Sequence, residues 1–198
     1  MNITVYCGAH YGKDPEFSYR AKELGTWIAE NGHKLIYGAG DVGTMGVLAN
    51  AVLDAGGEVT GVTPDFFVYA EEIHDKLTEL HVVPDLPERR LKMIELGDAF
   101  IALPGGTGTL DEITEVITLT RLGRLSENIK PVMIYNINGF YDHLFKFFDR
   151  VAAEQFFGKK DRENIKEVKS IEDIEKILET AGMVDENRTT LYAGRKDE

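Results

Sequence analysis

Short apolar runs rich in β-branched residues alternate with amphipathic stretches along the whole chain. Runs of this length and composition are typical of strands that are buried on both faces of a parallel sheet. Seven such runs predict seven strands, at residues 3–7, 34–38, 58–62, 79–83, 99–103, 131–135 and 165–168.

Helical periodicity fills the intervals between these runs. Phe17, Ala21, Leu24 and Ile28 recur at spacings of four, three and four, which predicts one apolar helical stripe. Strict alternation of strand and helix indicates a three-layer, doubly wound α/β fold with a mostly parallel sheet and right-handed crossovers. We expect a single domain over residues 1–185, followed by a polar tail at 186–198.

Composition narrows the class of protein. The net charge of −12 disfavours binding to a nucleic-acid polymer, which needs a basic face. No apolar run approaches the roughly 20 residues that span a bilayer, so we expect no membrane contact. Cys7 is the only cysteine, which excludes an internal disulfide, and the first residues lack a signal-peptide pattern. These features predict a cytoplasmic protein.

A first glycine loop, LIYGAGDVGTMG, follows the second predicted strand. Gly38, Gly40 and Gly43 satisfy G-x-G-x-x-G, a pattern typical of dinucleotide sites, because missing side chains let a pyrophosphate approach the backbone. The acidic residue expected to hold a ribose comes late, as Asp65. The loop is therefore compatible with an NAD-linked oxidoreductase, or with a more general nucleotide-binding loop in which Gly40 and Gly43 contact the ligand.

A second glycine loop, FIALPGGTGTLDE, connects the fifth predicted strand to a helix. Backbone N–H groups in such a turn, with the positive end of the helix dipole, form an anion site. The candidate contacts are Gly105, Gly106, Thr107, Gly108 and Thr109. The loop lacks the lysine of a Walker loop. The glycines could alternatively serve only a tight turn.

Basic residues cluster just before this second loop. Arg89, Arg90 and Lys92 follow Pro87, a favoured first-turn residue, within one helical turn. The segment leads directly into the strand that ends in the glycine loop, so these cations could lie near the bound anion. A solvated basic face is the alternative.

The motifs E-R-R-L-K-M and P-G-G-T-G-T-L-D-E resemble the Lonely Guy (LOG) family, the cytokinin riboside 5'-monophosphate phosphoribohydrolases. The likeness covers residues 3–157. It implies a Rossmann-like fold, a homodimer, and cleavage of a nucleoside 5'-monophosphate to free base and ribose 5-phosphate. It also implies that Arg89 and Glu112 are catalytic. The substrate-binding positions that it implies are Glu71, Arg90, Gly106, Thr107, Gly108, Thr109, Leu110, Asp111 and Thr118.

We therefore expect a phosphoribohydrolase acting on AMP or an N6-substituted AMP, without cofactor or metal. The five histidines show no ligand spacing, and a single cysteine excludes a thiolate cluster. Sequences of this kind also carry the description lysine decarboxylase, but a pyridoxal-phosphate enzyme needs a Schiff-base lysine. The only His-Lys pair, His33-Lys34, lies at the start of a predicted strand.

The sequence is also compatible with other functions for the two glycine loops and for Glu112. A non-catalytic nucleotide-binding regulator would keep the anion loop, and an NAD-linked oxidoreductase would use the first loop. Thr109 and Glu112 also fit a capping box, S/T-x-x-E, in which Glu112 would have a purely structural role.

Overall fold

A computed structural model describes residues 1–68, 73–125 and 131–192, with only the backbone described for 182–192. All seven predicted strands are present, with bounds that differ from the predicted ones by at most two residues. The strands are β1 (Asn2–Tyr6), β2 (Lys34–Tyr37), β3 (Glu58–Pro64), β4 (Glu79–Val83), β5 (Ala99–Ala102), β6 (Val132–Tyr135) and β7 (Ile165–Val168).

Every pair of neighbouring strands is parallel, so the sheet is fully rather than mostly parallel. The strand order is β4-β3-β2-β1-β5-β6-β7. From β1 the chain adds β2, β3 and β4 successively on one side. It then crosses back and adds β5, β6 and β7 successively on the other side of β1. The helices are α1 (Pro15–Glu30), α2 (Gly43–Asp54), α3 (Leu86–Leu96), α4 (Thr107–Arg121), α5 (Asp142–Ala153), α6 (Lys159–Asn164) and α7 (Ile171–Tyr192).

Two apolar cores lie on opposite faces of the sheet. One is formed with α1, α2 and α7, and it contains the predicted stripe residues Ala21, Leu24 and Ile28. The other is formed with α3, α4 and α5, and it contains Met93 and Ile113. This arrangement confirms the three-layer, doubly wound α/β fold.

Strand order decides where a ligand can bind. The direction of winding reverses between β1 and β5, and a crevice forms at such a point beyond the carboxyl ends of the strands. The loop after β1 and the second glycine loop therefore face each other. A Cβ added at Gly8 would lie 3.6 Å from the Cα of Gly105.

The carboxyl-terminal helix runs further than the sequence pattern suggests. α7 continues to Tyr192, past the expected start of the tail at residue 186. Residues 193–198 lie outside the described part, so the division into domain and tail stays a prediction. In the described part of the chain, no helix has both the length and the apolar character needed to cross a membrane.

Candidate active site

A cavity of about 470 Å³ opens at the point where the winding reverses. The loop after β1 forms one wall and the second glycine loop forms another. Arg89 from α3 and Glu112 from α4 reach into it from the side of the second core. The sheet topology thus brings together two side chains that are 23 residues apart in the sequence.

Arg89 is held by three acceptors. Its Nε donates to the carbonyl of Val62 at 2.9 Å, its Nη2 to the carbonyl of Gly38 at 3.3 Å, and its Nη1 to Oε1 of Glu112 at 3.2 Å. Only 13% of the side chain is exposed. Two of the three acceptors are backbone carbonyls, that of Val62 in β3 and that of Gly38 directly after β2. The guanidinium is therefore fixed by the sheet itself.

Gly38 is the residue that makes this contact possible. A Cβ built there would lie 2.0 Å from Nη2 of Arg89, so a side chain would displace the guanidinium. The first glycine of the G-x-G-x-x-G pattern therefore admits a protein cation rather than a pyrophosphate.

Glu112 lies one turn beyond the start of α4, with 11% of its side chain exposed. Burial raises the pKa of this carboxyl to about 7, the neighbouring Asp111 charge adds to the increase, and Arg89 and Arg90 oppose it. A carboxylate with a pKa near the working pH is well matched to proton transfer. The environment of Glu112 is therefore compatible with the predicted catalytic role.

The start of α4 differs from the capping-box interpretation. Gly106 is the N-cap, the helix begins at Thr107, and no side chain caps it. Thr109 therefore lies inside the first turn and cannot be the N-cap that Glu112 would complete. The first N–H groups of a helix have no intrahelical acceptor, and a Cβ added at Gly106 or Gly108 would meet open space. The uncapped helix end is open towards the cavity, as an anion site requires.

Gly105 has a separate, packing role in this loop. A Cβ there would lie 2.1 Å from the hydroxyl oxygen of Thr109, which is buried. Gly105 and Thr109 both line the cavity, together with Gly106, Thr107 and Gly108. All five predicted anion contacts are thus placed in the cavity wall.

The first glycine loop faces the protein instead. A Cβ at Gly43 would lie 2.3 Å from the backbone carbon of Ala9, and one at Gly40 would lie 2.9 Å from Cε of Met45. Neither Gly40 nor Gly43 lines the cavity. This geometry gives no support to an NAD-type site on this loop.

Other predicted site residues lie away from the cavity. Arg90 donates to Glu115 at 2.5 Å and to Asp111 at 3.1 Å, so it joins α3 to α4 outside the cavity wall. Leu110 packs against the second core. Thr118 is exposed near the end of α4, in a different groove. Glu71 lies outside the described residues, so its predicted contact with substrate stays a prediction.

Sequence reasoning missed several residues that line the cavity. Tyr6 ends β1, His10 lies in the loop that follows, and Phe67 and Phe140 come from two further connections. A glycine after an apolar run was the only signal in the sequence, because the position of β1 at the centre of the sheet is a tertiary fact. Cys7 also lines the cavity, but it is 8% exposed and burial raises the pKa of its thiol to about 12.

The residues present do not fit a pyridoxal-phosphate group. Lys34 is the first residue of β2, so it lies at the amino ends of the strands, whereas the cavity lies at their carboxyl ends. There Lys34 pairs with Glu58 at 2.5 Å. Among the described residues that line the cavity there is no lysine to form a Schiff base. Over the same described ranges, no group of three or more His, Cys, Asp and Glu side chains has a metal-binding arrangement.

The chain is similar to known phosphoribohydrolases over most of its length. It is 44% identical to the cytokinin riboside 5'-monophosphate phosphoribohydrolase of Rhodococcoides fascians over 172 residues, which cover 86% of this chain and 85% of the relative. It is 41% identical to the rice enzyme LOG over 160 residues, 81% of this chain and 65% of that protein. It is 37% identical to LOG3 of Arabidopsis thaliana over 177 residues, 89% and 81% of the two chains.

Solved structures share the fold. A molybdenum cofactor binding protein from Rippkaea orientalis superposes with a TM-score of 0.68 at 22% identity, over 90% of this chain and 95% of that one. The molybdenum cofactor carrier protein of Chlamydomonas reinhardtii superposes with a TM-score of 0.65 at 19% identity, over 91% of this chain and 96% of that one. At these identities the likeness establishes the fold alone.

A family model described as "Possible lysine decarboxylase" matches residues 45–180, a stretch that includes both Arg89 and Glu112. The extent of this match and the identities to the three relatives lead to the same assignment. The chain belongs to the LOG family, whose relatives found here are named cytokinin riboside 5'-monophosphate phosphoribohydrolases.

Proposed function

We propose that this protein hydrolyses the N-glycosidic bond of a nucleoside 5'-monophosphate, releasing free base and ribose 5-phosphate. The observation that carries the proposal is the Arg89–Glu112 pair, which lines the same cavity as the uncapped start of α4. The family relationship supports the same reaction, because the relatives are named for it.

Glu112 supplies the chemistry. Departure of a base from C1' leaves positive charge on the ribose, as in glycoside hydrolysis, so the enzyme needs a nearby carboxylate and an activated water. With its pKa near 7, Glu112 is largely ionised at or above neutral pH, so the carboxylate can offset the charge that develops on the sugar. It then takes the proton of the attacking water as the water oxygen bonds to C1'. A positioned base of this kind contributes about 10²–10⁴ in rate.

Arg89 orients Glu112 in this proposal. A guanidinium offers five N–H donors and does not give up a proton as an ordinary acid does. Its bonds to Val62 and Gly38 fix the guanidinium before substrate arrives, and the remaining bond fixes the carboxylate of Glu112. Prior orientation of this kind lowers the reorganisation needed in the transition state.

The start of α4 binds the 5'-phosphate. Free N–H groups and the helix dipole favour an anion there, and Gly106 and Gly108 let the phosphate approach the backbone. Binding energy from the phosphate then positions the ribose against Glu112, so a nucleoside without phosphate should lose turnover as well as affinity.

A panel of nucleoside 5'-monophosphates, assayed for free base, tests the function. We expect release from AMP or an N6-substituted AMP, with kcat/KM for the matching nucleoside at least about 100-fold lower. Binding of monophosphates without release of any base would assign the protein to the regulator class. Tighter binding of a dinucleotide than of a monophosphate would favour the oxidoreductase. Because the proposed mechanism draws only on side chains and backbone groups of the protein, activity should persist in EDTA. Restoration of lost activity by zinc or magnesium would contradict it.

We also propose that two copies of the chain associate through the outer face of α4 and α5. Phe147 is 59% exposed and Phe156 is 81% exposed, so neither is wedged between layers. They border a groove of about 290 Å³ that also contains Thr118. An exposed apolar surface of this kind is typical of a subunit interface. A homodimer would cover it.

We further propose a cytoplasmic location, which the absence of an apolar membrane span, of a signal-peptide pattern and of a possible internal disulfide supports.

A further inference from the structure

One polar group in the cavity wall is unexplained by the mechanism above. Tyr6, the last residue of β1, lines the cavity but is only 2% exposed. Its hydroxyl oxygen is buried and has no hydrogen-bond partner among the described residues. Buried tyrosine hydroxyls usually find a partner, and one left unpaired opposes folding.

The direction of the strand places the Tyr6 side chain on the same face of the sheet as α3 and α4, which carry Arg89 and Glu112. Val5 and Cys7 belong to the core on the side of α1 and α2, and Tyr6 belongs to the opposite core with Met93. Its ring stacks on Phe100, with centroids 6.5 Å apart and planes 5° from parallel. The side chain is therefore held on the face of the sheet from which Arg89 and Glu112 enter the cavity.

The hydroxyl stays protonated in this environment. Burial is the main cause that raises the pKa of Tyr6 well above its ordinary value, and the charges of Glu112 and Glu115 raise it further, against the opposing effect of Arg89. Tyr6 is therefore a hydrogen-bond donor that lies within the electrostatic influence of a carboxylate. In the free protein, that carboxylate already accepts a bond from Arg89 at Oε1.

Bound nucleotide changes what surrounds Glu112. A ligand that fills the cavity displaces the water that reaches the exposed part of the carboxylate, and an ionised carboxylate that loses water needs another donor. A carboxylate offers about four acceptor positions, so the bond to Arg89 leaves room for a second donor. Tyr6 is a buried donor without a partner on the same side of the sheet.

We propose that Tyr6 is a positioning residue, whose hydroxyl donates a hydrogen bond to the Glu112 carboxylate once bound nucleotide has displaced water from it. This inference rests on the proposed hydrolysis. The bond keeps Glu112 ionised and aimed at the attacking water. In the step itself, the water oxygen forms the new bond to C1', its proton passes to Glu112, and the electron pair of the broken C1'–N bond leaves with the base. Tyr6 keeps its own proton throughout.

Tyr6→Phe tests the inference, because it removes the hydroxyl and keeps the ring. A hydrogen bond to the ionised form lowers a carboxyl pKa. In the variant, the acid limb of kcat, which reports the enzyme–substrate complex, should move to higher pH by about one unit, with roughly a tenfold loss of kcat on that limb. The acid limb of kcat/KM, which reports the free enzyme, should not move. KM should therefore fall together with kcat on the acid limb and stay within about twofold of wild type on the plateau at higher pH.

The other titratable groups near Glu112 are the same in the wild type and in Tyr6→Phe, so their effects on the kcat limb cancel when the two pH profiles are compared. The substrate phosphate also titrates near pH 6, and it cancels for the same reason. The charged or titratable groups around Glu112 are Arg89 and Arg90 on α3, Asp111 and Glu115 on α4, Tyr6 and Cys7 at the end of β1, and His10 in the loop after it.

Tyr37→Phe is the matched control. The Tyr37 hydroxyl is buried like that of Tyr6, but it donates to the carbonyl of Gly40 at 3.2 Å and Tyr37 does not line the cavity. We expect Tyr37→Phe to lower the thermal unfolding midpoint and to leave the kcat limb in place. Tyr6→Phe should match or exceed the wild-type midpoint, because it removes an unpaired hydroxyl.

An unchanged kcat limb in Tyr6→Phe, with wild-type turnover intact, would overturn the role of Tyr6 and leave the proposed function standing. A fall in the unfolding midpoint like that of Tyr37→Phe would also overturn it, by showing that the hydroxyl has a structural partner. Absence of base release by the wild-type protein from every monophosphate would remove the proposed function, and this inference with it.

Discussion

Two neighbouring positions of α4 show how environment separates similar carboxylates. Asp111 is 64% exposed and pairs with Arg90 outside the cavity, whereas Glu112 is 11% exposed and faces Arg89 inside it. Burial raises the pKa of Glu112, and burial is also what strengthens its interaction with charge on a bound sugar. Each carboxylate is thus suited to a different role, one to surface pairing between helices and the other to chemistry.

Glu112→Gln should remain folded, still bind AMP and lose about 10² or more in kcat, because an amide can neither take a proton nor offset an oxocarbenium charge. Single-turnover assays with AMP and an equilibrium binding titration measure the two effects separately. Glu88→Gln, an exposed carboxylate beside Arg89 on α3, is the control and should keep wild-type turnover. Turnover of Glu112→Gln within threefold of wild type would leave the chemistry without its base.

The pH dependence follows from the same carboxyl. Only ionised Glu112 can accept a proton, so kcat/KM should rise with pH around a midpoint near 7. Stability should respond in the opposite direction. The folded protein holds this proton more tightly than the unfolded chain does, so the contribution of Glu112 to stability is present below pH 4.5 and is lost as pH rises to about 7.

Glu112→Gln should not lose folding stability between pH 4.5 and 7 in the way that the wild type does, because glutamine does not titrate. The unfolding midpoint of the variant, relative to wild type, should therefore increase between pH 4.5 and 7 and then level off. Chemical denaturation of both proteins at a series of pH values measures the difference. A difference that stays constant across this range would show that Glu112 has no raised pKa in the folded protein.

At the scale of elements, the two glycine loops have different structural roles, although both are rich in glycine. The loop before α4 leaves Gly106 and Gly108 open to the cavity. The loop before α2 packs against the chain, with Gly43 in the left-handed region at φ 66°. Thr44 then fixes the loop after β1, because its hydroxyl accepts from the N–H of Gly8 and donates to its carbonyl, both at 3.0 Å. Gly43 and Thr44 thus shape the cavity without lining it.

Gly43→Ala should destabilise the fold by more than the roughly 1–3 kcal/mol of a residue forced into the left-handed region, because the new Cβ would also meet the backbone of Ala9. Gly56→Ala is the matched control. Gly56 has φ 78°, but a Cβ there would meet nothing within 4 Å, so it carries the conformational cost alone. Urea denaturation compares the two. Equal losses would mean that the contact between the two loops is easily relieved.

At the scale of the whole molecule, two features of the described residues bear on function, the cavity and an exposed apolar surface. The site lies where the winding reverses, and the surface lies on the outer face of α4 and α5, at the other end of the helix that carries Glu112. The predicted substrate contact at Thr118 lies on this surface and not in the cavity of its own chain. The proposed dimer would therefore determine which group, if any, Thr118 contacts.

Sedimentation at micromolar concentration should give a mass of at least twice the 22.1 kDa of the chain. The double variant Phe147→Asp, Phe156→Asp should shift the species towards the monomer, because burying two carboxylates in an apolar interface is strongly unfavourable. Tyr19→Asp is a control on α1 with the same 59% exposure as Phe147, and it should leave the mass unchanged. A wild-type mass near 22.1 kDa would contradict the dimer.

Local patterns in the sequence determined the elements. The seven apolar runs became seven strands, and the Phe17 to Ile28 stripe became the inward face of α1, because the side-chain periodicity of a strand or helix is a local property of the chain. The motif that contains Glu112 and its likeness to a known family also came from the sequence. The sequence also predicted an anion site in the glycine loop before α4, and this stays a prediction; that the helix start is uncapped was learned from the structure.

Contacts between distant segments decided the rest. The strand order put the loop after β1 beside the second glycine loop, which revealed Tyr6 as part of the site. The same packing separated Arg89 from Arg90, adjacent in sequence, into a cavity residue and a link between helices. It also gave Glu112 its raised pKa, because burial and the charge of Arg89 depend on segments far away along the chain. Sequence alone cannot supply these facts, since desolvation and Coulomb energy depend on distance in space.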